Sequence, residues 1–181
     1  MSPMSAQTPA TIEPRLPLEG YPLPLRLPNR EVVVWWGPDN LGTDRVAVEA
    51  GRALAWNSVE SCVAGARARG FTLAEDADAP EPAVMDLRPV SAWLRGQRLT
   101  LDPEATLNLW NLAGDVAVSV GAPWHDRGRA ADACHAKLTA ANVPYLVGAD
   151  TYVPRWTPQE LRCLRQRMLA ATTLLEDCLP G

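Results

Sequence analysis

The sequence predicts an α+β fold, with a small, mostly antiparallel sheet in the N-terminal half backed by a helical C-terminal half. Three observations carry this expectation. Residues 31 to 56 are rich in Val, Trp and Ala runs interrupted by Gly-Pro-Asp-Asn and by Gly51, the texture of short strands joined by turns. Two helix starts are spelled out, at Asp102-Pro103-Glu104 and at Thr157-Pro158-Gln159-Glu160, each pairing a capping side chain with Pro in the first turn. The extended runs come first, with one helix among them, and a series of helices follows.

Residues 1 to 28 hold Pro3, Pro9, Pro14, Pro17, Pro22, Pro24 and Pro28. Proline fixes φ and removes a donor, so this stretch is expected to be a Pro-rich, partly disordered arm. Met1 to Pro14 is expected to be disordered, and the Leu/Pro alternation from Leu16 to Leu27 to be extended and draped over the domain. A single α+β domain is expected over residues 29 to 181. It opens with Val32-Val33-Val34-Trp35-Trp36, where consecutive Trp rings must point to opposite faces. One ring enters the core, and the other lies under the arm or is open to a partner. Runs at Arg45–Glu49 and Arg52–Trp56 flank Gly51 as a hairpin. Asn57 or Ser58 then caps a helix over Val59–Arg69 whose apolar stripe is Val59, Cys62, Val63 and Ala66, with Gly70 as its stop. Phe71 to Leu73 is a further short strand, and 75–82 an acidic, solvated loop. Val84 to Leu87 should be another strand, leading to a short helix over Pro89–Leu94.

The Asp102 start should give a helix to about Val120, with Leu107, Trp110, Ala113 or Gly114, and Ala117 facing inward. A helix over Gly128–Ala141 follows. The last is the helix from the Thr157 capping box through Leu161, Leu164, Met168, Leu169, Leu175 and Leu179.

Composition narrows the function. A chain of 181 residues with 47% hydrophobic residues can bury one ordinary core. Its apolar runs fall far short of the roughly 20 residues that span a bilayer, and its start lacks a secretory signal pattern, so the expected location is the cytoplasm. Formal net charge is −4 with signs interleaved, which argues against nucleic acid as a partner. Lys137 is the sole lysine against abundant Arg, Ala and Pro, the signature of GC-rich bacterial coding. Cys62, Cys134, Cys163 and Cys178 form no CxxC pair and read as reduced thiols packed like small hydrophobes.

Motifs for phosphate cradling and for a Ser elbow are missing from the chain. Cys134 and His135 are adjacent, so a helix would aim them about 100° apart. No pairing of His125, Cys134, His135, Cys163 or Cys178 has the short spacing of a structural zinc site, and neither a metal nor a cofactor is expected. A Cys–His pair built on Cys62 or Cys163 has no support in spacing. Among the acids, Asp102 and Glu104 are committed to a helix start, and nothing forces Asp86, Asp115, Asp126 or Asp150 into a pair. Asn108, Asn111 and Asp115 share one stripe of the Asp102 helix. That stripe is either a solvated face or a recognition stripe facing a cleft, with Trp110 beside it.

The segment from Tyr145 to Trp156 stands out because it concentrates Tyr145, Asp150, Tyr152, Arg155 and Trp156 in one connection. Tyr, Trp and Arg dominate binding hot spots; alternatively Tyr152 and Trp156 staple the last helix. With Trp124 and Trp110 these residues form the candidate partner-binding set, and Arg127 is a neighbour to it.

The texture DLRPVSAWL, DPEATLNLWNLAGDVAVSVG and YVPRW within Asp86 to Trp156 resembles small acidic bacterial proteins of the toxin-immunity or antitoxin type. Such a resemblance implies a compact, cofactor-free α+β inhibitor that acts by binding a partner, and it transfers no functional residues. Three readings follow. The chain is first a non-enzymatic protein-binding protein, an inhibitor or immunity protein for a basic bacterial partner. Second, it is an accessory subunit that self-associates through its N-terminal arm. Third, it is a small enzyme with a site near His125 and Asp126, which would show a concave pocket with converging polar groups and perturbed titratable residues.

Overall fold

The computed structural model describes residues 16–74 and 83–180, and the expectations for Met1 to Pro14 and for the loop 75–82 lie outside these. The fold is α+β: a curled, mostly antiparallel sheet in the N-terminal half, helices in the C-terminal half.

Two long strands form the sheet's centre, β1 (Glu19–Arg26) and β2 (Glu31–Pro38), paired antiparallel with Leu23 opposite Val34 and Leu25 opposite Val32. The far edge of β2 is filled by two short strands, β3 (Asp44–Val46) at Trp36–Pro38 and β6 (Ala55–Trp56) at Val33–Val34. Between them β4 (Val48–Glu49) and β5 (Arg52–Ala53) make the hairpin expected around Gly51, whose φ is +75°. The far edge of β1 is filled in the same manner and parallel, by β7 (Thr72–Leu73) at Glu19–Gly20 and β8 (Met85–Asp86) at Leu25–Arg26.

The stretch expected to drape over the domain is therefore its central strand. Prolines 22 and 24 are compatible with that place for a specific reason. The carbonyls of Leu18, Gly20 and Arg26 face β7 and β8, accepting from Thr72, Ala74 and Leu87. Even-numbered backbone groups of β1 thus point away from β2, and Leu27 N–H bonds Arg30 at the hairpin turn in the odd-numbered row. Pro22 and Pro24 fall in the even row, in the interval between β7 and β8, where β1 is paired by no strand of the described residues. The two strands also approach closely: a Cβ on Gly37 would meet the Glu19 carbonyl, and one on Gly20 the Trp36 carbonyl.

Each face of the sheet is covered. Val33 and Trp35 pack with Cys62, Ala66 and Phe71 under α1 (Val59–Arg67), which begins with a Ser58–Ser61 capping box. Trp35 is 1% exposed, stacks on Phe71 and donates its indole N–H to the Pro17 carbonyl at 2.9 Å. Leu25, Val32 and Val34 face the helical half: α2 (Arg88–Leu94), α3 (Pro103–Val120), α4 (Arg129–Asn142) and α5 (Pro158–Cys178). Asp102 caps α3 by accepting from Ala105 N–H, and Gly121 ends it with φ +73°. Leu109, Leu112, Ala113 and Val116 join Trp110 on its buried side, whereas Leu107 is only half-buried. The capping box at Thr157 and Glu160 forms as the sequence predicts, and Leu164, Met168, Ala171 and Leu175 are the inward stripe of α5. Leu161 and Leu169 are exposed instead. No helix among the described residues is long and apolar enough to cross a membrane.

Candidate functional site

A cleft of about 540 Å³ opens between the α3 side of the sheet and the residues following α3. Its size falls within the roughly 300–1,000 Å³ of small-ligand pockets. The β2 strand contributes Trp36, β3 contributes Asp44, and α3 contributes Asn108, Asn111 and Asp115. Trp124 and Asp126 come from the connection after α3, and His135 from α4. The Asn108–Asn111–Asp115 stripe thus faces a cleft.

Aromatic rings form the walls. Trp36 lies 5.1 Å from the Tyr21 ring, and Trp110 meets Trp124 edge-on at 6.5 Å and His135 at 5.6 Å. The Trp124 indole packs beside Gly114 on α3, 3.5 Å from where a Cβ there would lie. The Trp124 indole N–H is buried and has no acceptor among the described residues. His135 Nε2 sits 3.3 Å from Asn111 Oδ1, which orients both side chains toward the opening.

Asp115 is the electrostatic centre. Its Oδ2 accepts the Trp36 indole N–H at 2.9 Å. Burial pushes the carboxyl up to about 6; the Trp36 bond works against this, and the nearby Asp44 charge adds to it. The lining carries three aspartates and, among the described residues, neither lysine nor arginine. Uncompensated negative charge facing indole rings suits a cation with a flat or aliphatic body, held by charge and by the ring faces together.

The candidate partner-binding residues divide between two surfaces. Trp110 and Trp124 belong to the cleft. Trp156 instead lines a groove with Trp93, Leu99, Val153 and Leu161. It directly precedes the Thr157 cap of α5 and packs against the core. Lys137 anchors this end, with Nζ 5.7 Å over the Trp156 ring, 2.8 Å from the Arg155 carbonyl and 2.9 Å from Glu160 Oε2. Tyr145 is 75% exposed in a 3-10 turn over Pro144–Val147, Asp150 and Arg155 are exposed, and Tyr152 is half-buried. His125 is exposed, while its neighbour Asp126 reaches the cleft. Among the described residues no three His, Cys, Asp or Glu side chains are placed to share a metal ion.

Sequence reasoning missed Asp44 and the assembly of Asp44, Asp115 and Asp126 around one opening. These come from β3, α3 and the loop after it, and no spacing rule links them. A scan against protein-family models, a search of curated proteins and a search of solved structures find no match to this chain.

Proposed function

We propose that this chain is a non-enzymatic binding protein whose cleft receives a cationic side chain, best an arginine, presented by a basic protein partner. The observation that supports it is the convergence of Asp44, Asp115 and Asp126 with Trp36, Trp110 and Trp124 around one open volume. A guanidinium is planar, weakly hydrated and forked, so it stacks on indole while donating to carboxylates. The chain's net charge of −4 steers a basic partner toward it, and the inhibitor role implied by the immunity-protein resemblance uses the same complementarity.

The test is a titration of the full chain with the blocked tripeptide acetyl-Gly-Arg-Gly-amide, followed by the indole N–H signals in nitrogen-15 NMR. Movement of the Trp36, Trp110 and Trp124 signals, saturating and lost at high salt, is expected. The Trp35 signal, locked to Pro17 on the other sheet face, should stay still. The same response to acetyl-Gly-Gln-Gly-amide, or none to either peptide, overturns the reading.

One observation favours a second reading. The Asp115 carboxyl, pushed up to about 6 by burial beside Asp44, has the chemistry a general acid needs. In that reading Asp115→Asn keeps ligand affinity while ending turnover; in the first reading it weakens the arginine peptide itself.

A further inference from the structure

A second cavity, of about 350 Å³, lies between the β1–β2 turn, α2, α3 and α5. Leu87, Leu109 and Leu175 form its floor, each 3% exposed, and Leu27 is one wall. Such a floor repels a fully polar occupant and rewards an aliphatic one.

Polar groups line the cavity as well: Asn29, Thr172, whose hydroxyl donates to the Met168 carbonyl, and the three that define the ligand, Ser91, Arg30 and Glu176. Ser91 is only 8% exposed and lines the cavity, where its hydroxyl is a donor within the apolar surround. A hydroxyl in such a surround can donate to a bound carboxylate. Arg30 reaches past the cavity to the carbonyls of Pro180 and Leu179, at 2.5 and 3.3 Å. Five N–H donors sit on a guanidinium, so these two bonds leave others available. Glu176, on the last turn of α5, carries the opposite charge and has no ion pair among the described residues. Arg30 and Glu176 therefore line one cavity without neutralising each other.

We propose that this cavity binds a small aliphatic zwitterion, a free branched-chain α-amino acid, with its carboxylate on Arg30 and Ser91, its ammonium on Glu176 and its side chain on the leucine floor. The fit follows from charge placement as much as from volume. A fatty carboxylate would satisfy Arg30 and leave Glu176 facing hydrocarbon; an amine would do the reverse. Only a ligand bearing both charges beside a short apolar body matches all four walls. Peptide termini carry one of the two charges and so fill half of the site.

L-leucine is the probe, titrated calorimetrically into the full chain at millimolar concentration, with 4-methylpentanoate, leucinamide and glycine alongside. Saturable leucine binding is expected, with each of the other three at least about tenfold weaker, since each lacks one anchoring group. Glu176→Gln, an exposed change that leaves the fold intact, should weaken leucine about tenfold while leaving 4-methylpentanoate unchanged. Ser91→Ala should weaken leucine and 4-methylpentanoate by the same factor, because both present the carboxylate. Asp115→Asn, in the other cleft, should not alter leucine binding. Absence of saturable binding, equal affinity for leucine and glycine, or a Glu176→Gln loss shared by 4-methylpentanoate overturns the assignment.

Discussion

Replacing Asp115 with asparagine separates what this carboxylate costs the fold from what it does in the cleft. Asparagine keeps an oxygen to accept the Trp36 indole N–H, 2.9 Å away in the native chain, and removes only the titrating charge. The folded-state carboxyl is pushed up to about 6 from an ordinary 3.8, so the folded protein holds this proton more tightly than the unfolded chain does. The stability contribution is therefore largest below about pH 4 and declines as pH rises through 6. Taken at full value, that difference corresponds to about 3 kcal/mol. Partial solvent contact screens the group, and about 1–2 kcal/mol is the magnitude to expect. Urea denaturation of both proteins at a series of pH values from 4 to 8 reads this directly. Other carboxylates pull the opposite way, since Asp39, Asp86, Glu60 and Glu160 all sit below their ordinary values, but they cancel in the difference between the two proteins. Asp115→Asn should gain about 1–2 kcal/mol over wild type between pH 4 and pH 7 while losing affinity for the arginine tripeptide. A variant whose advantage is flat with pH, or which is less stable at pH 8, refutes the account of Asp115 as a charge held against burial.

Two further perturbations test the fold around the site. Gly37→Ala should be strongly destabilising, because the new methyl meets the Glu19 carbonyl and the Gly20 backbone rather than a movable side chain; a melting temperature within experimental error of wild type would contradict the strand register. For the cysteines, burial pushes the Cys62 thiol up to about 12, and burial followed by the neighbouring Cys163 and Glu160 does the same to Cys134. Native protein at pH 8 should present only Cys163 and Cys178 to a thiol reagent, with Cys178 itself slowed by burial, and all four after unfolding. Rapid modification of Cys62 in native protein would contradict the packing under α1.

The helical half was legible because its signals are local. Asp102 and Thr157 each announce a helix within four residues, and both caps form with the bonds those residues imply. The strand Glu19–Arg26 was not, because proline argues against a strand when a residue is read alone. Whether a missing donor matters depends on which side of the strand that donor would face, and this is settled by Thr72, Ala74 and Leu87 from later in the chain. The placement of β7 and β8 on either side of Pro22 and Pro24 turns two strand-breaking residues into tolerated ones.

The same distinction governs the site. The stripe of Asn108, Asn111 and Asp115 could be read from helical spacing alone, but whether it faced water or a cleft was a tertiary question. Trp36 answers it: its neighbour Trp35 is drawn to the α1 side by Phe71 and the Pro17 carbonyl, which obliges Trp36 to face α3 and meet Asp115. Once that contact forms, the Asp115 carboxyl loses water, and Asp44, carried in on the strand paired to Trp36, adds a second negative charge. A helix surface that would otherwise be solvated becomes an aromatic, acidic cleft through the alternation of two consecutive tryptophans. In the stretch Tyr145 to Trp156, in contrast, Trp156 packs against the core beside the α5 cap and Lys137 holds the turn against Glu160, while the side chains of Tyr145, Asp150 and Arg155 stay exposed. Residue types that favour binding also favour capping and stapling, and only the charge left uncompensated around Asp115 separates the two roles here.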